Sequence, residues 1–304
     1  MKKYLFVLPV LAAFAYLAGC NSSADNTVAL KFKLPKGTRY EYAMNMEMKM
    51  NRQMMGKDIE VKNTMGFTYL FEVTNDSANW KTLSSTITKV SMDMDVMGSI
   101  IHFDTDMPND TGRGPLARMG KVFGAMKGSQ FSFTVNDKGD ISEIRGLQEM
   151  REKILSGLPD GAGWAAAGMK NVFDEESMKQ NVHQAFQAYP GKPVKPGDSW
   201  TKTTTQKMQG MSVKSDNTYT LESVNGDDAV VKVVAKMSSA GSNDVNADAR
   251  SMTGNGQGKI HYDLKTGMTS DGDMDLKMDM KVKADTTEMP MTMNMKMKMR
   301  GKKL

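Results

Sequence analysis

The chain has 304 residues, of which 25% are charged, and a formal net charge of +5 at pH 7. Its charges of both signs are interspersed and its aromatic content is only 7%, so the composition argues against a nucleic-acid partner. A single cysteine excludes an intrachain disulfide and a multi-thiolate metal site, so the folded chain depends on its packed core.

Residues 1–19 have the features of a secretory signal. Two lysines follow Met1, residues 4–18 are almost all apolar, and small residues precede Cys20. The run Leu-Ala-Gly-Cys at 17–20 resembles the lipobox of bacterial lipoproteins. That resemblance implies cleavage before Cys20, a diacylglycerol on its thiol and an acylated new amino terminus. The alternative is an ordinary signal peptide with an incidental cysteine.

Residues 20–28 are interpreted as the acylated cysteine followed by a polar tether. Several acyl chains on one residue give an almost permanent membrane anchor. Asn21 stands where some lipoproteins carry an aspartate that retains them in the inner membrane. The expected location is therefore the cell envelope, anchored in the outer membrane and facing the periplasm.

Methionine is the compositional outlier, with 31 residues, which is several times its ordinary share. In four segments it alternates strictly with polar residues. A period of two places all the methionines on one face of a β-strand, whereas a helix would scatter them around its circumference. The two longest series are Met44, Met46, Met48 and Met50, and Met289, Met291, Met293, Met295, Met297 and Met299.

The remaining elements follow from the same periodicity test. Three hairpins are predicted, each joined by Asn, Asp, Ser or Gly residues, at 67–90, 131–141 and 218–237. Apolar residues at helical spacing predict central helices at 116–126, 147–158 and 178–189.

Two pairs of short segments indicate an internal duplication. The opening Leu-Pro-Lys-Gly at 34–37 resembles Val-Lys-Pro-Gly at 194–197, and Ile-His-Phe-Asp at 101–104 resembles Ile-His-Tyr-Asp at 260–263. The sequence offsets of the two pairs are nearly equal. The predicted fold is α+β and mainly β, with two duplicated antiparallel curved sheets, half-barrel-like meanders, and a central pair or trio of helices. The expected units are 29–189, the first meander with the helices, and 190–304, the second.

Four of these motifs together resemble a known family: the lipobox, the opening at 34–40, the segment 189–200 and the late Tyr-Asp-Leu-Lys-Thr-Gly at 262–267. They are similar to an uncharacterised family of Bacteroidetes lipoproteins, described only as a domain of unknown function. The resemblance implies no activity. The layout also resembles the half-barrels of lipoprotein carriers, which hold acyl chains, although a fold does not determine a function.

Three short polar motifs are interpreted as structural. Gly197-Asp198-Ser199 resembles the start of a hydrolase nucleophile motif, but its counterpart at 37–39 lacks that chemistry, so a strand-opening turn is favoured. The glycine-rich run 254–258 is interpreted as a loop because no helix start follows it. The alternating aspartates at 271–275 lack the closing glutamate of a calcium loop and are interpreted as a solvated turn.

His102 and His261 occupy matching positions, each two residues before an aspartate. On a strand, such a His and Asp share one face and can form a hydrogen bond or bind a metal. A third ligand is not visible in the sequence. We therefore expect no metal site and no cofactor.

The predicted function is that of a non-enzymatic envelope lipoprotein, which contacts the membrane through its anchor and binds a lipid, another hydrophobic ligand or an envelope partner on its methionine faces. Two alternatives stay open. Methionine thioethers also suit Cu(I), which makes a periplasmic copper-binding protein the rival. The third class is a structural or interaction lipoprotein without a small ligand.

Overall fold

The computed structural model describes residues 27–54, 57–77, 79–96, 99–107, 120, 123–156, 179–180, 182–183, 186, 188–208, 211–239, 250–284 and 287–304. The predicted signal, Cys20 and most of the tether lie outside these described residues. Among the helices that the structure describes, none is both long enough and apolar enough to cross a membrane.

Most of the described residues lie in β-strands. The strands are β1 Arg39–Met54, β2 Lys57–Ser77, β3 Trp80–Val96, β4 Ser99–Asp104, β5 Gln130–Asn136, β6 Ile141–Arg145, β7 Ser199–Met208, β8 Met211–Asn225, β9 Asp228–Ser239, β10 Arg250–Asp263, β11 Thr269–Ala284 and β12 Thr287–Lys303. Helix α1, Leu147–Ser156, separates β6 from β7. The long strands follow from the strict alternation of apolar and polar residues.

All the described strands belong to one antiparallel sheet. Its order is β6-β5-β3-β2-β1-β12-β11-β10-β9-β8-β7, and β4 pairs with β3 beside this path. The prediction of a mainly β, antiparallel fold is confirmed. The two predicted sheets are instead one, because the first strand of the first meander pairs with the last strand of the second.

The two matching sequence openings form equivalent turns. The Gly37 N–H donates a hydrogen bond to the Val73 carbonyl at 2.8 Å, and the Gly197 N–H donates one to the Leu221 carbonyl at 2.7 Å. Both glycines have positive φ, 81° and 96°, a conformation that residues with a Cβ rarely adopt. The likeness at 34–37 and 194–197 therefore reflects a shared strand-opening turn, while duplication of the whole meander stays a prediction.

The predicted helix at 147–158 corresponds to α1, which buries Leu147, Met150 and Ile154. Glu149 in its first turn and Lys153 in its last turn complement the helix dipole. The other two predicted helices fall partly outside the described residues. Within the described part, residues 120, 123–126, 179–180, 182–183 and 186 are helical.

The sheet curls around Phe186, Ala188 and Tyr189. The ring of Phe133 on β5 lies 5.4 Å from that of Phe186, and the Trp200 indole N–H on β7 donates a 2.9 Å hydrogen bond to the Ala188 carbonyl. Strands β5 and β7 are nine steps apart in the sheet order, which is about 43 Å in a flat sheet. Only a strongly curved sheet brings both strands to the same short segment.

The N-terminal segment 27–34 completes the core at this end of the strands. Leu30, Phe32 and Leu34 are buried there, and the Phe32 N–H donates to the Asp137 carbonyl at 3.1 Å. We call this region the aromatic end. Its buried aromatic residues are Phe32, Tyr40, Phe131, Phe133, Phe186, Tyr189, Trp200, Tyr219 and Tyr262.

Candidate functional site: the methionine face

The methionines of β1 and β12 lie directly opposite one another. Four pairs form in the register of the two antiparallel strands: Met44 with Met299, Met46 with Met297, Met48 with Met295, and Met50 with Met293. Directly opposed residues share one face of a sheet, with Cβ atoms about 4.5–5.5 Å apart. The strand prediction for both methionine series is confirmed, and the two series form one surface. We call the side of the sheet that carries them the methionine face.

One row on this face consists of methionine across five neighbouring strands. Met92, Met65, Met46, Met297 and Met274 are consecutive partners on β3, β2, β1, β12 and β11. We call it the methionine row. Sequence reasoning missed it because only the strand register brings the five methionines, from five different strands, together.

The methionine face is partly covered. Met44, Met46, Met48 and Met50 are partly buried, as are Met289, Met291, Met293, Met295 and Met297, while Met299 is buried. Towards β10 the face closes into a small second core, in which Met252 is 1% and Met278 is 3% exposed. The alternate side chains, such as Glu47 and Lys296, are exposed on the opposite face. The face is thus intermediate between a closed core and an open groove.

A strip of glycines crosses the same face on β10. Gly254, Gly256 and Gly258 lie opposite Met278, Leu276 and Met274 of β11. A Cβ placed on Gly258 would collide with the Asp273 carbonyl and lie 2.6 Å from the Met274 sulfur, so both the backbone and the side chains of β11 occupy the space beside the glycines. The interpretation of 254–258 as a loop is wrong, because the run is the centre of a strand.

The aspartates at 271–275 also lie in a strand. Asp271, Asp273 and Asp275 are on the outer face of β11, opposite Arg300, Lys298 and Lys296 of β12. The interpretation as a turn is therefore wrong, and opposed cations balance the carboxylates. Within the described residues, no group of three or more His, Cys, Asp or Glu side chains is arranged to hold a metal ion.

The structure does not bring the two predicted histidines together. His102 on β4 and His261 on β10 are six strand steps apart. Neither forms a hydrogen bond with the aspartate two residues later. His102 Nδ1 lies 2.5 Å from Asp93 Oδ1, and His261 Nδ1 lies 2.9 Å from Asp228 Oδ2.

Asp104, the expected partner of His102, instead forms an ion pair with Lys89 at 2.9 Å. Burial by itself would raise the pKa of this carboxyl. The hydrogen bond from the Asp106 N–H and the Lys89 ammonium outweigh burial and hold the pKa below its ordinary value. The carboxylate thus fixes the turn after β4.

Ser199 and Asp198 have structural roles. The Ser199 hydroxyl is 2.8 Å from the Thr220 hydroxyl on the neighbouring strand, and an Asp198 carboxylate oxygen accepts a 3.0 Å hydrogen bond from the Lys195 N–H. None of their hydrogen bonds in the described part of the chain involves a histidine. This geometry is that of the predicted strand-opening turn.

The tyrosines at the aromatic end are held as neutral phenols. Burial raises the pKa of Tyr69 and of Tyr219 to about 12. The Tyr40 and Tyr189 hydroxyls donate 2.7 Å and 2.6 Å hydrogen bonds to the carbonyls of Thr269 and Gly267, and burial raises their pKa values as well. The Tyr40 and Tyr189 hydroxyls thus hold the loop between β10 and β11 against the core. All four phenols carry no charge at neutral pH.

Three polar side chains on the methionine face were missed by sequence reasoning. Lys202 pairs with Asn217 in the register of β7 and β8, and Asn63 pairs with Met48 in the register of β2 and β1. The Asn63 Oδ1 atom is buried without a hydrogen-bond partner. Counting in steps of two from the buried Trp200 places Lys202 on the inner face, a signal available in the sequence.

Comparison with known proteins places the chain in a family. A family of unknown function, DUF6263, matches residues 78–269, which is more than half of the chain. The chain belongs to this family. Its membership agrees with the resemblance to an uncharacterised family, and it assigns no activity. A search of curated proteins found no match.

Three solved structures have some likeness to the chain, and each is distant from it. A structure titled as lipid–protein interactions in lipovitellin is 10% identical, with a TM-score of 0.46 over 89% of this chain and 25% of that chain. DynF from the dynemicin biosynthesis pathway of Micromonospora chersina is 6% identical, with a TM-score of 0.23, and the match covers 91% of this chain and 86% of that one. An outer membrane channel from Pseudomonas putida F1 is 7% identical, with a TM-score of 0.19, and coverages of 89% and 97%.

This chain therefore spans about a quarter of the length of lipovitellin. All three TM-scores are below 0.5, so these likenesses carry no argument about function.

Proposed function

We propose that this protein is a non-enzymatic lipoprotein of the cell envelope that holds the acyl chain of a lipid against its methionine face. The observation that carries the proposal is the partial burial of this face. At the aromatic end, side chains on the same strands are buried. The methionines of 44–50 and 291–297 are only partly buried and keep some exposure. Apolar surface left partly in water gains about 25 cal/mol for each Å² that a ligand covers.

Methionine suits a surface that adapts to a flexible chain. Its side chain has three rotatable bonds and a polarizable sulfur, so it fits apolar ligands of different shape. The opposite face carries exposed charges such as Glu47, Lys296 and Lys298. An apolar side and a charged side are the arrangement expected of a protein that holds an acyl chain in an aqueous compartment.

The lipid anchor would hold the protein next to the membrane. We propose that Cys20 carries the lipid and that the protein is attached to the outer membrane and faces the periplasm. The described part of the chain begins at residue 27, at the end of the proposed tether. A tether of a few residues keeps the methionine face close to the membrane, which is the source of acyl chains.

A catalytic role has little support. The two motifs that resemble reactive sites have structural partners: Ser199 contacts Thr220, and each described strand histidine contacts an aspartate. We therefore propose binding without chemistry.

Native mass spectrometry after gentle purification tests the proposal, followed by titration with a fluorescent fatty acid. The paired change Met46→Gln and Met297→Gln places two amides on the methionine row, and we expect at least tenfold weaker binding. The control is Glu47→Gln and Lys296→Gln, which lies on the other face of the same strand pair. Absence of any bound lipid, with no response to added fatty acid, would refute the proposal.

A second candidate, Cu(I) binding, is favoured by one observation. The methionine row sets five thioethers side by side, and soft thioethers suit Cu(I). The change of Met46 and Met297 to Leu removes two sulfurs while keeping the face apolar, so it separates the candidates. If the protein binds copper, a Cu(I) titration under reducing conditions should show a site with a Kd below about micromolar in wild type, and the Leu variant should lose it. Acyl-chain binding predicts that the Leu variant keeps its lipid.

The third class, an interaction lipoprotein without a small ligand, predicts a different result. Wild-type protein would carry neither lipid nor Cu(I), and Gln at positions 46 and 297 would weaken only its binding to an envelope protein. The native mass spectrum and the copper titration therefore distinguish all three classes.

A further inference from the structure

A polar strip borders the methionine face on its β7–β8 side. Lys202 lies opposite Asn217, and Thr204 lies opposite Ser215. These side chains point to the same side of the sheet as the buried Trp200, because they follow it at steps of two along β7. All four are partly buried. The apolar surface therefore has one polar border that contains a cation.

The strip lies in register with the methionines. Asn217 pairs with Ala235, which pairs with Gly256, and the row continues through Leu276 to Met295. On the far side of the row, Asn63 contributes its buried and unpartnered Oδ1 atom. One row thus holds a cation, apolar side chains and a free acceptor.

The Lys202 ammonium has no balancing anion within the described residues. Lys214, on the outer face of the same hairpin, forms an ion pair with Asp216 at 2.9 Å, and that carboxylate also accepts a hydrogen bond from Thr203. Among the described residues, no ion pair or hydrogen bond engages the Lys202 ammonium in this way. A partly buried cation without an anion is costly, so this position favours an anionic ligand.

We propose that the ligand is an anionic amphiphile whose carboxylate or phosphate head group binds Lys202, beside Asn217 and Ser215. This inference rests on the proposed function and adds the class of lipid. The Ser215 hydroxyl donates a 3.2 Å hydrogen bond to Asn217 Oδ1, which leaves the Asn217 amide N–H groups to bind a head-group oxygen.

The acyl chain runs from this strip across the glycine strip of β10. From β8 to β11 is three strand steps, about 14 Å, close to the ~15 Å that one leaflet contributes to a bilayer's hydrocarbon core. Gly254, Gly256 and Gly258 contribute no side chains there. The β11 backbone lies close to these glycines, as at Lys277 O, 2.9 Å from a Cβ placed on Gly254. The Met237 methyl group and the Met274 sulfur, which also lie there, are the ends of flexible side chains that can move aside for a chain.

The test compares ligands that differ only in the head group. Palmitate, palmitoyl lysophosphatidic acid and the neutral 1-hexadecanol are titrated into the purified protein, with inorganic phosphate as the head group without a chain. Wild type is expected to bind both acids at least tenfold more tightly than the alcohol. Inorganic phosphate alone is expected to bind weakly, because the chain supplies most of the apolar contact.

The deciding variant is Lys202→Gln. We expect it to lose the preference for the acids while it keeps its affinity for the alcohol, because the apolar surface is unchanged. Lys236→Gln is the matched control, since Lys236 is exposed on the outer face of β9 and its loss changes the net charge equally.

The outcomes distinguish a wrong head-group assignment from a wrong proposed function. Equal binding of acids and alcohol by wild type, or an unchanged preference in Lys202→Gln, would overturn the head-group assignment while leaving acyl-chain binding intact. Failure of wild type to bind any of the three chains would remove the proposed function itself. Tight binding of inorganic phosphate equal to that of the lysophosphatidic acid would identify Lys202 as a phosphate site unrelated to lipid.

Discussion

The aromatic end and the methionine face lie on the same side of the same strands and are packed in different ways. On β1, Tyr40 is buried while Met46 and Met50, on the same face, are only partly covered. At the aromatic end, the segment 27–34 and residues 186 and 188–194 fill the concave side of the sheet. The difference shows that one sheet can combine a closed core with an adaptable surface.

Side-chain flexibility explains the division of roles. Aromatic rings have few rotamers and pack at defined distances, such as the 5.4 Å between Phe133 and Phe186. Methionine fills irregular space and rearranges at low cost. We infer that the aromatic end sets the curvature of the sheet and that the methionine face uses that curvature to hold a ligand.

A substitution at the aromatic end should cause the largest loss of stability. Phe133 is 2% exposed and contacts the rings of Phe71, Phe131 and Phe186. Phe133→Ala should reduce the free energy of unfolding by about 3–5 kcal/mol, because it leaves a cavity that these neighbours cannot fill. Urea unfolding followed by circular dichroism measures it. A loss below 1 kcal/mol, as expected for an exposed site, would contradict the view of this end as the rigid core.

A substitution in the glycine strip should cause the next largest loss of stability. Gly258→Ala places a methyl group 2.6 Å from the Met274 sulfur and against the backbone of β11, and should destabilise the fold by about 1–3 kcal/mol. Gly272→Ala is the matched control, since its nearest contact is the mobile methyl end of Met299 at 2.9 Å. Equal losses of unfolding free energy in the two variants would show that close approach on β10 does not matter.

Rates of oxidation should distinguish the partly exposed methionines from the fully buried ones. Hydrogen peroxide converts an accessible thioether to its sulfoxide, with water as the other product. Met46, Met48 and Met295 should react several-fold faster than the buried Met92 and Met252, because the latter are at most 2% exposed. Peptide mass spectrometry over a time course gives the rates. Uniform rates would mean that the methionine face is as closed as the core.

The smallest expected effect is the pH dependence of stability that comes from the Asp104–Lys89 ion pair beside β4. The folded-state pKa of Asp104 is lowered, so its contribution to stability is present above the unfolded pKa of about 3.9 and is lost as pH falls through the folded value. The stability difference between wild type and Asp104→Asn should therefore shrink between pH 6 and pH 3. Urea midpoints at several pH values measure it. A difference that is constant with pH would show that Lys89 does not act through the charge.

Much of the fold was predictable from local pattern. Alternation in 44–50 and 289–299 identified the faces of β1 and β12, and the glycines at 37 and 197 marked the strand-opening turns. The interpretations of 254–258 as a loop and of 271–275 as a turn failed because glycine and aspartate are turn formers by local preference. Strand pairing on both sides overrode that preference in β10 and β11.

The sequence by itself determined which side chains share a face, since that depends only on a period of two residues along one strand. It also determined that one face would be rich in methionine and the other charged. The tertiary structure alone decided that two meanders join into one sheet, that five methionines form a row, and that Lys202 borders the methionine face. These facts depend on register and strand order, which arise from contacts between residues more than 250 positions apart, such as Met44 and Met299. A local pattern carries no information about such pairing.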